Sequence, residues 1–389
     1  MTSRVNPDDF SMVKEEKHGK VGNLNELSNE LKTSLQRIGL MIDDGESAGT
    51  FVQQDQTVSF CSQKTPDIEV MNITNALDKY DWLEEYNWKA VKADTDAFTL
   101  DAASQKSSKG YFIRSLPGKK VKAPVQTCLY VEGSKSKQVV HNIIIAEENS
   151  EMNVVTGCAA HSKIDRALHE GISEFYVKKG ARITFTMIHE WQETIDVRPR
   201  SAIILEEGAT FINNYILLKP VSSIQSNPIA YLNGDNARVM FQTIVYGKGD
   251  SKLDLGSRAV LKGRKSSAEM ISRVITKDDS DVIVRGLIVG EGEGCKGHLE
   301  CRGLILSDTS RIDSIPELDA RNPNVDITHE AAVGKISQEE INYLMMRGAS
   351  EDEATSMIIN GFLSFDFSEL PPEIAEETLK LVDQTMDAS

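Results

Sequence analysis

The sequence predicts a mainly β protein whose central part is a solenoid of stacked strands, and two features support this fold class. Short runs rich in Val, Ile, Thr and Tyr recur between residues 125 and 320, as in 128–131, 142–145 and 202–205. Between these runs, a tight turn that places a Gly, Asn or Asp before a small residue returns again and again. The spacing of these turns lies in the range of repeat lengths that is typical of solenoids.

The predicted turns all end in a residue with a small side chain: Ser150, Ala181, Ala209, Ala237, Ser257 and Ser280. Intervals this short leave no room for the long helical crossovers of a doubly wound α/β fold. Stacked strands that turn through small-residue corners suit the pattern, because each rung buries its inward face against the next. An ordinary β-sandwich is the alternative, and the repeat spacing favours the β-helix.

We divide the chain into an N-terminal helical and mixed region at 1–125, a β-helix core at 126–325 and a C-terminal helical domain at 326–389. In the first region, apolar residues three or four positions apart predict one face of an amphipathic helix. These residues are Leu24, Leu27, Leu31, Leu35 and Ile38.

The C-terminal region carries the signals that start and stop helices. Two capping boxes and two glycines in C-cap positions predict a pair of helices. The capping pairs are Ser337 with Glu340 and Ser350 with Glu353, and the glycines are Gly348 and Gly361. Two prolines at 371–372 begin a final predicted helix.

Composition excludes several classes of function. The 389 residues carry a formal net charge of −16, so nucleic acid is not expected as the main partner, because phosphate binding needs a concentrated cationic face. No apolar run approaches the roughly 18–20 residues that cross a bilayer, and residues 1–20 are polar, so we expect neither a membrane span nor a secretory signal. Five scattered cysteines do not resemble a disulfide framework, which favours a reducing compartment, the cytoplasm.

Motifs for nucleotide binding and for zinc-dependent hydrolysis fail in their context. Residues 292–297 match GxGxxG by letter, but the sequence that follows is strand-like and offers no helix N-terminus, so we predict a glycine-rich corner. No P-loop pattern is present, and no nucleotide is expected on this chain. The pairs at 169–170, 189–190 and 329–330 are His-Glu, yet none has the second His of the zinc-protease helix.

The thiols are the remaining chemistry-bearing residues. The stretch 295–301 supplies two cysteines, a histidine and a glutamate, and His-Glu follows at 329–330. Thiolate, imidazole and carboxylate are the donors that iron sites use. If 299–306 is one strand, however, Cys301 shares its face with Leu299, and the residues alone favour a buried core thiol over a ligand.

Several segments, which cover about residues 75–385 in order, together form a recognisable pattern. The segments are Gly110-Tyr-Phe-Ile, Lys120-Val-Lys-Ala-Pro-Val-Gln, His169-Glu-Gly-Ile-Ser-Glu-Phe-Tyr-Val, Trp191, Gly297-His-Leu-Glu-Cys301, Ile327-Thr-His-Glu-Ala-Ala-Val-Gly-Lys-Ile-Ser and Met346-Arg-Gly-Ala-Ser-Glu-Asp-Glu-Ala354 with Gly361-Phe362. They resemble the SufB/SufD family of the SUF iron–sulfur cluster assembly system. The pattern is closer to archaeal and minimal-system SufB-like members than to bacterial SufB or SufD.

The resemblance implies a right-handed parallel β-helix with flanking helices, and it implies partners. An ABC-type ATPase, SufC, would dock on the C-terminal helices, whose alternative role is a helical hairpin over the open end of the β-helix. A second SufB-like or SufD-like subunit would pair through the last rungs, where a transient Fe–S cluster forms from a sulfur donor for apo acceptor proteins. The residues matched to SufC docking are Lys335, Ile336, Tyr343, Met346, Arg347, Ala354 and Phe362.

One departure from the family bears on the metal ligands. Bacterial SufB members carry a cysteine shortly after the segment that matches residues 306–308, and this sequence has Thr309-Ser310 there. A hydroxyl is a poor iron ligand, so the resemblance leaves Cys301 and Glu330 as the leading candidates, with His329 third. Weaker carboxylate candidates are Glu300 and Glu317.

The function implied by the resemblance is a scaffold for iron–sulfur cluster assembly rather than an enzyme, with the ATPase activity in the SufC partner. Two alternatives stay open. One is a SufD-like architectural subunit that holds no cluster. The other is a β-helix carbohydrate-active enzyme, which would need an aromatic-lined cleft, whereas the chain has 6% aromatic residues and three Trp.

Overall fold

A computed structural model describes residues 5–13, 18–42, 47–105 and 109–363. This part of the chain is mainly β and forms a β-solenoid of about eight turns, with five α-helices near its two ends. The mainly β fold class predicted from the repeats is therefore confirmed. The helix predicted after residues 371–372 lies outside the described residues.

Two sheets form the walls of the solenoid. Sheet 1 has twelve strands: β1 (Ser11–Met12), β4 (Ile68–Asn72), β5 (Tyr111–Ser115), β7 (Ser136–Ala146), β9 (Ala167–Val177), β11 (Ile195–Val197), β12 (Arg200–Leu205), β14 (Ser223–Ser226), β15 (Ile229–Leu232), β17 (Lys252–Leu261), β19 (Asp281–Gly290) and β21 (Arg311–Ala320). Sheet 2 has ten strands: β2 (Gly49–Gln54), β3 (Thr57–Gln63), β6 (Lys120–Val131), β8 (Glu151–Ala160), β10 (Arg182–Glu190), β13 (Thr210–Leu217), β16 (Arg238–Gly247), β18 (Ser267–Thr276), β20 (Lys296–Ile305) and β22 (Asp326–Lys335).

The strand register shows how the rungs of the solenoid stack. Phe211 of β13 lies directly opposite Ile183 of β10 on one side and Val239 of β16 on the other, so equivalent positions of successive rungs are neighbours. From β5 and β6 onward the neighbouring strands are parallel, whereas β3 and β4 pair antiparallel with β2 and β5. Parallel pairing between successive rungs excludes the β-sandwich alternative, whose sheets are antiparallel.

Small residues close the corners of the rungs, as predicted. The N–H of each corner residue donates to the carbonyl oxygen three positions earlier, at 2.9–3.4 Å. On one edge of the solenoid these residues are Ser150, Ala181, Ala209, Ala237 and Ser266. Ser280 also closes a corner, but on the edge between β18 and β19.

The turn predicted at 255–257 is wrong, because these residues lie inside β17. Gly256 is needed there for close packing, since a Cβ would stand 2.8 Å from the Cβ of Arg285 on the next rung. The GxGxxG stretch does form a corner, between β19 and β20, with Gly294 in the left-handed region at φ +69°. Its Cys295 stands where earlier rungs have Ser266 and Ala237.

Five α-helices accompany the solenoid: α1 (Asn29–Arg37), α2 (Ile73–Lys79), α3 (Ala97–Ser104), α4 (Gln338–Met346) and α5 (Glu351–Leu363). The five apolar residues predicted as one helix face are all buried, but Leu24 belongs to a separate 3-10 turn. Ser28 caps α1 by accepting a bond from the N–H of Leu31, so the helix begins later than the apolar spacing indicates.

The C-terminal helices follow the solenoid only after residue 335, because β22 forms the last strand of sheet 2. The capping box of Ser350 and Glu353 is confirmed by reciprocal hydrogen bonds of 2.7 and 3.2 Å, and Gly348 has a φ of +105°. Gly361 is not a cap, since α5 continues through it.

Helices α1 and α5 both cover the outer face of sheet 2. Ile359 of α5 packs with Ile275 and Leu304, whose side chains point away from the solenoid interior. The hairpin of α4 and α5 therefore lies beside the last rungs. No helix in the described part of the chain has both the length and the apolar character that crossing a bilayer requires.

Candidate functional site

The predicted ligand residues lie on the last two strands of sheet 2. Cys301 is on β20, and His329 and Glu330 are adjacent on β22. The register places Leu299 opposite His329, Glu300 opposite Glu330, and Cys301 opposite Ala331. The two strands are thus neighbours at this point, and successive side chains alternate between the two faces of the sheet.

This alternation separates the three candidates. Cys301 and His329 lie on the face that looks into the solenoid, whereas Glu330 is exposed on the outer face beside Glu300. The arrangement brings the thiol and the imidazole together on one side and leaves Glu330 on the other. Cys301 and Glu330 cannot both reach one metal ion while β22 keeps this register.

Cys301 is largely shielded from solvent, with 5% of its surface exposed, and it belongs to the interior hydrophobic core. Burial raises the pKa of its thiol, while the Ser314 hydroxyl and the charge of Arg273 act in the opposite direction. In this arrangement the neutral thiol is favoured over the thiolate that binds iron.

The two weaker carboxylate candidates face outward. Glu300 is held by two arginines, with Oε1 at 2.5 Å from Arg273 and 2.6 Å from Arg302. A carboxylate engaged in this way has to give up an ion pair before it can bind a metal ion. Glu317 is exposed on β21, opposite Leu287 of the preceding rung.

His329 has an incomplete set of hydrogen bonds. Its Nε2 atom is buried and has no hydrogen-bond partner among the described residues. The hydroxyl oxygen of Ser314, on the facing sheet, lies near enough to influence the Cys301 thiol but makes no hydrogen bond of normal geometry with the described residues. Buried polar atoms are normally paired, so the unpaired Nε2 atom gives His329 a free donor position near the end of the solenoid.

Within the described residues, no group of three or more His, Cys, Asp or Glu side chains is arranged to hold a metal ion. Cys301 and His329 share a face but offer two donors, fewer than the four that a typical iron–sulfur cluster takes from protein.

The end of the solenoid is open. Strands β21 and β22, which we call the terminal rung, each pair on one side only among the described strands. Leu318 and Val333 of the terminal rung are each 43% exposed, although their strand positions correspond to core positions of earlier rungs. Unpaired strand edges and exposed core side chains together are typical of a surface that associates with another chain.

The residues matched to SufC docking divide into exposed and buried ones. Tyr343 and Met346 are 51% and 81% exposed, and the Arg347 guanidinium lies 4.8 Å from the Tyr343 ring. Ala354 is buried, Ile336 and Phe362 are half-buried against the hydrophobic cluster under α5, and Lys335 forms an ion pair with Asp308. Met357, which lies in the matched segment 353–362 but is not among these seven residues, is 58% exposed on α5.

A polar cluster inside the solenoid also escaped the sequence reasoning. His189 stacks with Trp191 at 5.8 Å and lies 4.7 Å from Tyr215, and both of its ring nitrogens lack hydrogen-bond partners among the described residues. Burial lowers the pKa of His169 and of His189 to about 3, so both imidazoles are neutral. The only signal in the sequence was the recurrence of His-Glu on two strands.

Three of the other four thiols are buried in structural positions, and Cys61 is exposed. All five cysteines are free, and Cys128 and Cys158 are buried in the walls of the solenoid, where burial raises the pKa of both thiols. Cys295 fills a corner, with Sγ 3.3 Å from the Ser266 hydroxyl. Thr309 and Ser310 lie in the turn before β21, where Thr309 Oγ1 donates to the Asp278 carbonyl oxygen at 2.6 Å.

Comparison with known proteins identifies the family. Residues 129–362 match the family model described as "SUF system FeS cluster assembly, SufBD core domain". The chain belongs to the SufBD family. An iron–sulfur cluster assembly SufBD family protein of Methanothermobacter thermautotrophicus is 49% identical over 96% of this chain and 92% of its own length.

Other SufBD relatives agree with this assignment. A SufBD family protein of Archaeoglobus fulgidus is 48% identical over 90% of this chain and 94% of its own length. The iron–sulfur cluster assembly protein SufB of Bacillus subtilis is 31% identical over 94% of this chain and 80% of its own length. The predicted likeness to archaeal members of the family is confirmed.

Proposed function

We propose that this SufBD protein is a scaffold on which a labile Fe–S cluster is built at an interface between two scaffold subunits. The observation that supports the proposal best is the open end of the solenoid, where Cys301 on β20 and His329 on the terminal rung share one face but form an incomplete set of ligands among the described residues. A second SufB-like or SufD-like subunit, docked on the exposed edges, would supply the missing donors. A small number of protein ligands is suitable for a cluster that has to be handed on to apo acceptor proteins.

Cys301 and His329 are the proposed ligands from this chain. Sulfur would arrive as persulfide from a donor protein, and a two-electron reductant such as a dithiol would release it as sulfide and leave the donor cysteine as a thiol. The Cys301 thiolate would hold the sulfide-bridged iron, with His329 Nε2 as a second donor from this chain. Glu330 would join only if β22 rearranges, since the carboxylate now lies on the outer face. A change that exposes Cys301 would also remove the desolvation that raises the pKa of its thiol.

SufC supplies the proposed driving force. Its docking surface would be the exposed side of α4 and α5, with Tyr343, Met346 and Met357 as apolar contacts. The same helices pack on the strands next to the terminal rung, so ATP-driven closure of two SufC subunits would bias the terminal rung between two arrangements. The ATPase activity would reside in SufC, and the free cysteines fit a reducing compartment, the cytoplasm.

Anaerobic reconstitution with iron and sulfide, in the presence of SufC, tests the ligand assignment by visible absorption. We expect Cys301→Ser to lose most of the cluster absorption and His329→Gln to yield a cluster that bleaches faster. Cys295→Ser is the matched control, because serine already occupies the same corner position in the preceding rung. Equal absorption from Cys301→Ser and the wild type would refute the assignment.

SufC docking is tested separately by measuring the affinity of SufC for the Met346→Glu variant. A charge in an apolar contact lowers affinity about tenfold or more. Leu100→Glu on α3 is the control, since Leu100 is also exposed but lies far along the chain from α4. Unchanged affinity in Met346→Glu would place the docking surface elsewhere.

A SufD-like architectural role is the second candidate. It is favoured by the burial of Cys301 and by the lack of a three-ligand group within the described residues. Reconstitution with SufC and a second scaffold subunit separates the two roles when the wild type is compared with Cys301→Ser. A cluster that still forms with Cys301→Ser would be held by the second subunit.

A further inference from the structure

The outer face of sheet 2 carries a groove that the proposed scaffold function does not use. It has a volume of about 880 Å³ and crosses six strands, from β10 to β22, near their N-terminal ends. Five steps between adjacent strands at about 4.8 Å give a length of about 24 Å. The apolar residues that α1 and α5 cover lie toward the C-terminal ends of the same strands, so the groove runs beside them.

Cations line one side of this groove. Arg238 begins β16, Lys296 begins β20, and Lys265 stands in the corner before β18. All three are exposed and form neither an ion pair nor a side-chain hydrogen bond with the described residues. Arg182 begins β10 in the same ladder of strands.

The contrast with the rest of the surface is informative. The protein carries a formal charge of −16, and cations at other corners of the solenoid are matched with carboxylates. Lys179 is 2.7 Å from Glu207, and Arg264 is 2.6 Å from Asp235. Arg238 and Lys296 lie two strands apart, about 9.6 Å by strand spacing, and Lys265 stands beside the strand between them. These three unmatched cations leave a positive stripe on an acidic protein.

We propose that this groove binds an acidic segment of a partner protein in an extended arrangement along the solenoid axis. Carboxylates of the segment would face Arg238, Lys265 and Lys296, and an apolar side chain would rest on Ile212 and Met240 in the floor of the groove. The length of about 24 Å exceeds what a small metabolite spans and matches a segment of roughly seven extended residues.

Two carboxylates in the groove favour a polypeptide over a nucleic acid. Glu269 and Asp326 lie among the cations. A polypeptide can place neutral or basic residues opposite them, whereas a nucleic-acid strand has a phosphate at every step and would meet both. The overall negative charge of the protein also opposes a polyanion that extends beyond the groove.

Fluorescence anisotropy of a labelled oligoglutamate peptide tests the proposal with the full-length protein at low ionic strength. We expect measurable binding by the wild type that weakens steeply as salt is added. Arg238→Gln with Lys296→Gln should raise the Kd about tenfold, since each exposed charge contributes a factor of a few. Both side chains are exposed and unpaired with described residues, so folding should be preserved, and thermal unfolding checks this.

The matched control removes the same number of charges at residues that do not line the groove, as Lys252→Gln in β17 with Lys262→Gln directly after β17. This variant should bind the peptide within about twofold of the wild type, because its net charge equals that of the groove variant while the groove is intact. The proposal is overturned if the wild type does not bind the peptide, if both double variants weaken binding equally, or if a single-stranded RNA oligonucleotide binds the groove more tightly than the peptide.

Discussion

Glu174 joins the N-terminal region to the solenoid through a buried carboxylate. The side chain is inaccessible to solvent, and it accepts hydrogen bonds from a loop that lies far earlier in the chain. The donors are the N–H groups of Trp88 (2.7 Å), Ala90 (2.6 Å) and Val91 (3.0 Å), the Tyr176 hydroxyl (3.0 Å) and His141 Nε2 (2.8 Å). Trp88 has a φ of +57°, a conformation that a bulky residue keeps only when its surroundings enforce it.

We predict that Glu174→Gln destabilises the protein by about 4 kcal/mol, because several buried donors would lose their partner. The glutamine amide keeps one acceptor oxygen and has an NH₂ group, which cannot accept, in place of the other. This NH₂ group faces either two or three of the former donors, depending on which carboxylate oxygen it replaces. Each buried donor left unpaired costs about 1–3 kcal/mol, and the bonds that remain lose the strength that the charge gave them. For a chain of 389 residues, with an unfolding entropy of about 2.1 cal/mol/K per residue, that loss lowers Tm by about 5 °C.

Differential scanning calorimetry measures the global effect, and hydrogen exchange at the amides of Trp88, Ala90 and Val91 measures the local one. We expect exchange at these three amides to accelerate more than exchange in the solenoid strands. Glu206→Gln is the control, because Glu206 forms an ion pair with Lys178 nearer the surface. A Tm within about 1–2 °C of the wild type, or unchanged exchange at the three amides, would refute the reasoning.

Three further predictions concern stability. Between pH 6.5 and about 3, the unfolded chain binds protons at His169 and His189 that the folded chain does not, so stability falls as the pH falls, by about 1.4 kcal/mol per unit for each histidine. Burial raises the pKa of Glu170 from 4.5 to about 8, so the stability that the protonated carboxyl contributes is lost as the pH rises through that interval. In urea unfolding, Glu170→Gln should flatten the decline in stability between pH 6.5 and 8. An unchanged slope would contradict the raised pKa of Glu170. Gly263→Ala should destabilise the protein by about 2–3 kcal/mol, because the Cβ would overlap the backbone of Gly234 in the neighbouring rung. Gly334→Ala, whose Cβ meets no described atom within 4 Å, should leave stability unchanged or raise it slightly in the same urea titration, and equal losses in the two variants would exclude the proposed overlap.

The fold was predictable because its signals are local. A corner needs a small residue and a bond across three positions, a strand needs β-branched and aromatic residues, and the capping box at Ser350 joins two side chains on a single helical turn. The error at 255–257 shows the limit of this reasoning. A glycine in a strand and a glycine in a corner look alike in sequence, and only the close approach of Arg285 from the next rung distinguishes them.

The candidate site was predictable in part. The family motifs indicated Cys301, His329 and Glu330, and their strands are indeed neighbours. The pairing of Glu300 with Arg273 depends on contact between rungs, which no local pattern reports. The cation stripe is similar: its members belong to different rungs, and they become neighbours only because successive rungs stack in register.

The sequence by itself determined the class of fold, the corner chemistry and the strands on which the reactive side chains lie. The tertiary structure decided which of those side chains share a face. Cys301 lies opposite Ser272 of the preceding rung and opposite Ala331 of the following rung. The step from Cys301 to Ala331 is one residue longer than the step from Ser272 to Cys301. This difference places Glu330 on the outer face and His329 on the inner face. Because strand side chains alternate with a period of two, such a shift in register reverses the face that every side chain occupies, and register is fixed only when the rungs pack.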